Sequence, residues 1–308
     1  MNNNMIGSQQ KNVLHSYFYI IIILPIIFWA CAFPFIKIGL QYLSPINLTI
    51  MRLFFVCIIF LFMMIIKPRC FSKIDIVDIP RFFLLGFFGV VVYHLGLNYG
   101  ETLISASAAS LIIATIPIFV VMFAALFLKE NISFKLLSGI LFSLSGVIII
   151  SLFGTADASL EINYVLAAGA VLVAAVVGAG YTIGGKKLLA RYSALSLTAY
   201  VFLFGFLGLI PLVSTSLIDE ISIMPLAGWG VVLFLALFPT VIGYVLWYIA
   251  LDMKTASEIS VFLYFTPVVS TMISALFFNE QITMLFLVGG FLVLFGLYIV
   301  NTSTRKKT

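Results

Sequence analysis

Charged residues are scarce in this chain, since Asp, Glu, Lys and Arg together make up only 9% of its 308 residues. A soluble domain carries about 25% charged residues. Apolar residues make up 63% of the sequence, which leaves too little polar surface to cover a water-soluble fold of this size. The composition therefore excludes a soluble globular protein and predicts a membrane-embedded chain.

Cysteine and histidine are also rare, with 3 Cys and 2 His in the whole chain. The odd number of cysteines, two of which lie within apolar stretches, argues against a disulfide framework. So few Cys and His residues cannot supply a zinc site, and we expect no metal and no cofactor. The sequence also contains no G-x-S-x-G motif, no H-E-x-x-H motif and no Walker phosphate loop, which disfavours an enzyme and an ATP-driven pump.

Ten apolar stretches of about 17 to 24 residues are long enough to cross a hydrocarbon core of roughly 30 Å. Their length indicates helices, because a strand of a membrane barrel is about 10 residues long and alternates strictly in polarity. The stretches cover residues 16–37, 45–66, 81–100, 104–128, 135–153, 163–184, 195–214, 227–250, 256–278 and 284–301. The sequence thus predicts an all-α integral membrane protein with ten transmembrane helices.

The positions of Lys and Arg predict the orientation of the chain. With the N-terminus inside, all 16 basic residues except Lys37 and Arg52 fall in cytoplasmic segments, whereas the opposite loops carry acidic residues such as Asp157 and Asp219. This asymmetry places both termini in the cytoplasm, and we expect a prokaryotic plasma membrane as the location. Because the basic residues lie in short loops rather than on one face, the net charge of +5 does not indicate binding of nucleic acid.

A second copy of part of the chain lies 150 residues after the first. Identical residues occupy positions 106 and 256, 107 and 257, 110 and 260, 117 and 267, 122 and 272, 125–127 and 275–277, 130 and 280, 139 and 289, and 146 and 296. A unit with an odd number of helices that is repeated in tandem inserts in opposite orientations. We therefore predict two inverted five-helix repeats, 16–156 and 157–302, flanked by a cytoplasmic tail at 1–15 and a basic tail at 303–308. Inverted repeats are typical of transporters with a substrate site at the middle of the membrane.

Three groups of motifs extend over residues 16 to 301. The first is Trp29-Ala-Cys-Ala-Phe33 followed by Lys37, and the second is Leu43-Ser-Pro45 leading to Met51-Arg52-Leu53-Phe54. The third is an array that occurs twice, once as Pro117, Glu130, Gly139 and Gly146 and again as Pro267, Glu280, Gly289 and Gly296. This combination resembles the EamA-type branch of the drug/metabolite transporter superfamily. The resemblance implies ten helices in two inverted repeats, a central cavity, and export or uptake of amino acids and other small metabolites. Gly178 stands where a Trp often occurs in that family, and Tyr181 is the nearest aromatic residue.

Polar residues on the ninth predicted helix are candidate substrate contacts. Ser260, Tyr264, Thr271 and Ser274 follow one face of a helix with a 3.6-residue period, together with Pro267. Since a polar stripe in lipid is costly, it faces either a wet cavity or a closely packed neighbouring helix. Its counterpart on the fourth helix contains Ser110 and Pro117, and we expect Pro117 and Pro267 to kink their helices.

Aromatic residues near the middle of two further helices are also candidates. Trp29 and Phe33 share one face of the first helix, and Tyr244 and Trp247 share one face of the eighth. Aromatic residues in membrane spans usually contact lipid or anchor the interface, so lipid contact is the alternative to cavity lining. We include Tyr93 of the third helix among the expected substrate contacts.

The third predicted helix carries His94, Asn98 and Glu101 on one face. An ionisable group within a span is a functional candidate because its burial is expensive, so His94 and Glu101 are candidates for proton coupling, with a structural role as the alternative. His94 and Asn98 are also candidate substrate contacts. Arg52 either reaches outward to the membrane surface or pairs with a carboxylate, such as Glu101 or that of a substrate.

The combined pattern predicts a transporter of small metabolites, such as amino acids or similar amphipathic solutes, that works by alternating access with export as the expected direction. A facilitated-diffusion uniporter is the first alternative. An intramembrane enzyme and a receptor-like scaffold are further alternatives, although a scaffold does not explain the repeat. The expected partners are a small-molecule substrate and the lipid bilayer, and the chain is expected to be a monomer or a homodimer.

Overall fold

The computed structural model describes residues 17–128, 134–153, 162–278 and 283–304. All regular elements in these ranges are helical. The α-helices are α1 (Phe18–Gly39), α2 (Pro45–Ile66), α3 (Ile79–Gly86), α4 (Tyr93–Leu103), α5 (Ala106–Ile113), α6 (Ile116–Leu128), α7 (Phe134–Phe153), α8 (Ile162–Leu188), α9 (Ala194–Leu207), α10 (Thr215–Ile223), α11 (Leu226–Leu235), α12 (Gly243–Met253), α13 (Ala256–Ser260), α14 (Phe265–Phe278) and α15 (Met284–Thr304). The predicted tail at 1–15 and most of the basic tail at 303–308 lie outside the described residues.

Serine residues start three of the helices. The hydroxyl groups of Ser44, Ser105 and Ser193 accept hydrogen bonds from the backbone N–H three residues later, at 3.3, 3.1 and 3.2 Å. Such caps satisfy one of the N–H groups that the first turn of a helix leaves without a partner. The chain can therefore turn within a few residues and begin the next apolar helix.

Six helical stretches of the described chain are long and apolar enough to cross a membrane. They are Phe18–Gly39, Pro45–Ile66, Ile76–Leu103, Ala106–Phe123, Asn163–Leu188 and Leu226–Met253. Large apolar side chains such as Ile65 and Leu276 are each 79% exposed, as expected where a bilayer covers the protein. The all-helical architecture is confirmed for the described residues. Helical residues occur in all ten predicted ranges, but ten crossings remain a prediction.

The two halves share irregularities in their helices. A π-helical segment, Phe87–Val92, separates α3 from α4, and a second one, Ala236–Ile242, separates α11 from α12. The helix is also interrupted at residues 114–115, between α5 and α6, and by a 3-10 turn at Val261–Tyr264, between α13 and α14. The members of each pair occupy equivalent positions in the two predicted repeats. The repeat seen in the sequence therefore extends to the backbone geometry.

Both interruptions fall inside stretches that the sequence predicts as single membrane spans, 104–128 and 256–278, and the kinks expected at Pro117 and Pro267 stay a prediction. Hydropathy reports how apolar a segment is and does not distinguish an α-helix from a 3-10 turn. Pro117 and Pro267 each lie in the first turn of the helix that follows the interruption. A missing backbone N–H is harmless there, whereas in the middle of a helix it would leave a carbonyl group without its donor.

Contacts between loops join the two halves at both ends of the molecule. At one end, the backbone N–H of Ser44 in the α1–α2 turn donates to Glu220 Oε2 of α10 at 2.9 Å. At the other end, Arg191 in the α8–α9 turn forms salt bridges with Asp75 at 2.7 Å and Asp78 at 2.5 Å. The hydrogen bond to Asp75 raises the pKa of Arg191. The equivalent α1–α2 and α8–α9 turns thus lie at opposite ends, as an inverted arrangement requires.

Helices α7 and α15 approach each other closely at glycine residues that repeat in the sequence. A Cβ atom on Gly146 would lie 2.5 Å from the carbonyl oxygen of Gly289, and one on Gly296 would come equally near the backbone of α7. Ser143 Oγ donates to the carbonyl oxygen of Val293 at 3.1 Å, and these two residues are 150 positions apart. Since each is the counterpart of the other, the two-fold relation between the halves passes close to this contact.

We expect Gly146→Val to destabilise the folded protein by roughly 1–3 kcal/mol, because the added side chain would overlap backbone atoms of α15. Gly169→Val is a matched control, since no atom lies within 4 Å of a Cβ at that position in α8. The purified proteins should be heated in detergent and the folded fraction measured by size-exclusion chromatography. The midpoint temperature of unfolding should be lower for Gly146→Val and unchanged for Gly169→Val. Equal midpoints for the two variants would contradict the close α7–α15 contact.

Candidate functional site

A cavity lies between helices of the two halves, and its empty space, including the part that is open to solvent, is about 730 Å³. The backbone irregularities contribute directly to its wall, with Gly89 from the first π segment, Ala114 from the α5–α6 interruption and Leu263 from the 3-10 turn. Irregular backbone at membrane depth is tolerated where it is surrounded by protein or lines a cavity. The site therefore lies where the helices depart from regular geometry.

Five of the predicted substrate contacts line this cavity. They are Trp29, Phe33, Tyr93, Tyr244 and Trp247. The remaining predicted contacts are outside its wall, namely His94, Asn98, Ser110, Ser260, Tyr264 and Thr271. The structure thus brings five of the six predicted aromatic contacts together at one site, all except Tyr264, and their role in binding stays a prediction.

Trp29 is at the centre of an aromatic cluster that joins the halves. Its ring centroid lies 5.4 Å from that of Tyr244 and 5.1 Å from that of Trp247, both on α12. The centroid of Tyr181 on α8 lies 5.4 Å from that of Tyr244. The indole N–H of Trp29 donates to the carbonyl oxygen of Pro239 at 2.8 Å, which fixes the orientation of the ring. Trp29 of the first half is therefore anchored to the backbone of the second.

The second π segment provides the partners for two side chains of the first half. Pro239 has no N–H, so the carbonyl group of Leu235 lacks the donor that an α-helix would supply. Thr240 Oγ1 donates to this carbonyl oxygen at 2.7 Å. The same hydroxyl oxygen accepts a hydrogen bond from Arg52 Nε at 2.8 Å. Because Pro239 lacks an N–H, the hydroxyl group of Thr240 donates to the Leu235 carbonyl and is thereby oriented to accept from Arg52.

Arg52 is buried at the cavity wall, with only 3% of its surface exposed. The alternative in which its side chain reaches outward to the membrane surface is wrong, because the guanidinium group points across to Thr240. Its Nη1 atom is buried and has no hydrogen-bond partner among the residues that the structure describes. Glu101, which is buried on α4, is near enough to act on Arg52 electrostatically.

His94 and Asn98 are fully buried next to the cavity wall. His94 Nδ1 lies 2.7 Å from the carbonyl oxygen of Val90, and since a carbonyl only accepts, we assign the ring proton to Nδ1. In a neutral ring Nε2 is then an acceptor, and it has no hydrogen-bond partner in the described ranges. Asn98 Nδ2 donates to Thr49 Oγ1 at 2.9 Å, which joins α4 to α2. Asn98 therefore has a structural contact through its amide nitrogen, whereas its Oδ1 and His94 Nε2 are buried acceptors without a hydrogen-bond donor among the described residues.

The polar stripe predicted on the ninth helix is divided by the 3-10 turn. Such a turn has about 3.0 residues per turn instead of 3.6, so side chains beyond it point in other directions. Ser260 is buried in the short helix α13, and Tyr264 and Thr271 are partly buried. Leu263 and Thr266 reach the cavity wall in their place. On the fourth predicted helix, Ser110 Oγ donates to the carbonyl oxygen of Ser107 at 2.7 Å.

Some of the cavity-wall residues that were not predicted could have been found from the sequence, and others could not. Tyr181 corresponds approximately to Phe33 in the weaker part of the repeat, so that correspondence could have indicated it. Thr182 and Thr266 had no distinguishing pattern. Thr240 is not itself a wall residue, but it holds Arg52, and it follows a proline within an apolar stretch, which is a usable sign of an irregular helix.

Neither a metal site nor a disulfide occurs in the part of the chain that the structure describes. No group of three or more His, Cys, Asp or Glu side chains is arranged to hold a metal ion there. Cys31, Cys57 and Cys70 are all free thiols. The chemistry offered by the described cavity wall is therefore that of aromatic rings, hydroxyl groups and one guanidinium group.

The model of the EamA-like transporter family matches residues 16–152 and matches again at residues 165–302. The chain belongs to this family. It is thus an integral membrane protein that transports a small molecule, and it is not an enzyme.

Individual relatives extend over almost the whole EamA-like transporter. A protein of Archaeoglobus fulgidus named "uncharacterized transporter" is 36% identical over 282 residues, which are 92% of this chain and 98% of that protein. A protein of Streptantibioticus cattleyicolor named "probable terminal-alkyne amino-acid exporter" is 31% identical over 92% of this chain and 93% of its own length. A crystal structure with 17% identity superposes with a TM-score of 0.63 over 94% of this chain and 98% of its own. At 17% identity, the similarity to this crystal structure shows only that the fold is shared.

We expect Trp29→Phe to slow transport, because Phe keeps an aromatic ring but leaves the Pro239 carbonyl without its donor, at a cost of roughly 1–3 kcal/mol. Trp229→Phe is a matched control, since Trp229 packs against Phe55 at 6.3 Å and does not line the cavity. Transport should be compared in proteoliposomes at equal amounts of folded protein. Equal rates for the wild type and Trp29→Phe would show that this anchor is dispensable.

Proposed function

We propose that this EamA-like transporter moves amino acids or similar small amphipathic metabolites by alternating access, with export as its direction. The observation that carries the proposal is the cavity between the halves, in which Arg52 is the one charged side chain of the described wall. Aromatic rings such as those of Trp29 and Tyr244 suit the apolar part of these solutes. A polyanion such as a nucleotide sugar would need more basic groups than this wall provides.

One relative supports both the substrate class and the direction. The Streptantibioticus cattleyicolor protein, which is 31% identical, is named an amino-acid exporter. An identity of this level over almost the full length is compatible with a shared class of substrate, while the side chains of the wall determine which member of the class is bound.

The membrane topology is part of the proposal. We propose ten crossings in two inverted repeats, 16–156 and 157–302, with both termini in the cytoplasm of a prokaryotic cell. The distribution of the 16 basic residues supports this orientation, since all of them except Lys37 and Arg52 fall in the segments assigned to the cytoplasm. The transporter is proposed to act as a monomer or a homodimer.

Single cysteines introduced into a variant without the three native ones test this orientation. Asp219→Cys lies in the exposed helix α10 and should react with a membrane-impermeant maleimide in intact cells. Lys73→Cys, in the exposed α2–α3 connection, should react only after permeabilisation. Labelling of Lys73→Cys from outside would exclude the proposed orientation and with it the location of the termini.

Efflux from proteoliposomes tests the substrate class, the direction and the coupling together. A panel of amino acids and nucleotide sugars is loaded, with and without a proton gradient. We expect amphipathic amino acids to leave the vesicles and nucleotide sugars to remain, because the described wall carries a single cationic side chain. Efflux of nucleotide sugars without efflux of amino acids would contradict the proposed substrate class.

His94 is the first candidate for proton coupling in these vesicles and Glu101 the second. Both are fully buried, and imidazole is the side chain that titrates nearest to neutral pH. His94→Gln should flatten the pH dependence of efflux while exchange of substrate continues. An unchanged pH profile would make His94 structural. Efflux that is insensitive to protons in both proteins would favour the facilitated-diffusion uniporter.

A further inference from the structure

The guanidinium group of Arg52 lies at the cavity wall, and its single hydrogen bond leaves part of its donor capacity unused. Its Nε donates to Thr240, whereas Nη1 is buried and has no acceptor among the described residues. A buried guanidinium nitrogen without an acceptor is unfavourable, and a bound solute that supplies an anionic oxygen would remove this deficit. Of the side chains in the described cavity wall, none is a carboxylate. The acceptor must then come from the solute or from beyond the wall.

Thr240 determines how the guanidinium group is presented. Its hydroxyl proton is used in the bond to the Leu235 carbonyl, so the oxygen offers a lone pair in a defined direction, and Arg52 Nε occupies it. When the Nε–H of an arginine donates a hydrogen bond, the two terminal nitrogens stay available for planar, bidentate recognition of a carboxylate. The contact therefore orients the arginine without using the nitrogens that recognise anions best.

The aromatic cluster lies where the rest of such a solute would be. Arg52 belongs to the same wall as Trp29, Tyr93 and Tyr244. Aromatic faces accept both apolar groups and the ammonium group of an amino acid. One guanidinium group can neutralise one carboxylate, and no second cationic side chain of the described wall is present to balance a dianion.

On the basis of the proposed transport function, we infer that Arg52 binds the carboxylate of the substrate through its terminal guanidinium nitrogens, and that Thr240 is the residue that positions it. The substrate class is thereby narrowed to solutes with one carboxylate and an apolar body, including amino acids. An amide or an amine of the same shape lacks the anionic oxygens and should be transported poorly.

Three matched probes test the inference in proteoliposomes, namely leucine, leucinamide and 4-methylpentanoate. They share an apolar body, and leucinamide alone lacks the carboxylate. We expect the wild type to transport leucine and 4-methylpentanoate and to prefer leucine over leucinamide. Equal transport of leucine and leucinamide would overturn the role of the carboxylate and leave the proposed transport function intact. Transport of none of the three would count against the proposed substrate class itself.

Variants of Arg52 identify the group responsible for this preference. Arg52→Gln should lower the ratio of leucine to leucinamide transport on the order of 10- to 100-fold, the range expected for loss of a charge-assisted hydrogen bond. Arg52→Lys keeps the charge and should retain part of the preference. The ratio does not depend on how much protein is folded. An unchanged ratio in Arg52→Gln would overturn the inference and favour a structural partnership with Glu101.

Variants of Thr240 test the positioning role separately, even if replacement of the buried arginine prevents folding. Thr240→Val removes the hydroxyl group that accepts from Arg52 and should lower the ratio several-fold, whereas Thr240→Ser should retain it. Thr198→Val is the matched control, because the buried Thr198 hydroxyl donates to the Ala194 carbonyl at 2.7 Å and Thr198 does not line the cavity. Equal ratios for Thr240→Val and Thr240→Ser would exclude a positioning role for the hydroxyl group.

Discussion

Polar groups within a bilayer must find their partners inside the protein, and the arrangement around the cavity depends on this constraint. Pro239 cannot supply the N–H that the Leu235 carbonyl would receive in an α-helix, and the Thr240 hydroxyl donates to this carbonyl. The Pro239 carbonyl itself accepts from the indole of Trp29, and the threonine oxygen accepts from Arg52. The irregular segment Ala236–Ile242 of the second half therefore accepts hydrogen bonds from two side chains of the first half, Trp29 and Arg52. The inner wall of the cavity follows from these few hydrogen bonds.

The two halves share a scaffold but not a set of polar side chains. Both contain a π segment and an interruption at equivalent positions. His94 and Tyr244 are counterparts at a spacing of 150 residues, and at the spacing of 149 that relates Thr49 to Thr198 the counterpart of Arg52 is the buried residue Val201. A symmetric backbone thus surrounds an asymmetric site. This fits a solute whose two ends differ in charge, because identical half-sites would favour a symmetric ligand.

The sequence predicted the parts of the structure that depend on averages over many residues. Hydropathy located the helices, the repeat indicated two related halves, and the mid-span positions of Trp29 and Trp247 indicated residues that do line the cavity. The 3-10 turn at Val261–Tyr264 was not predicted, because hydropathy has no information on the register of hydrogen bonds within a helix. The partner of Arg52 was also out of reach, since Thr240 lies 188 positions away and becomes a neighbour only through folding.

The contact between Ser143 and Val293 indicates which helices stay in place when the two halves exchange conformations. In a cycle in which each half adopts the conformation that the other has just left, every residue exchanges surroundings with its counterpart. Two residues that are each other's counterpart and already touch, as these do at 3.1 Å, keep the same neighbour throughout. Helices α7 and α15 then form the stationary element of the cycle, and distances measured from them report the displacement of the cavity helices in an internal frame of reference.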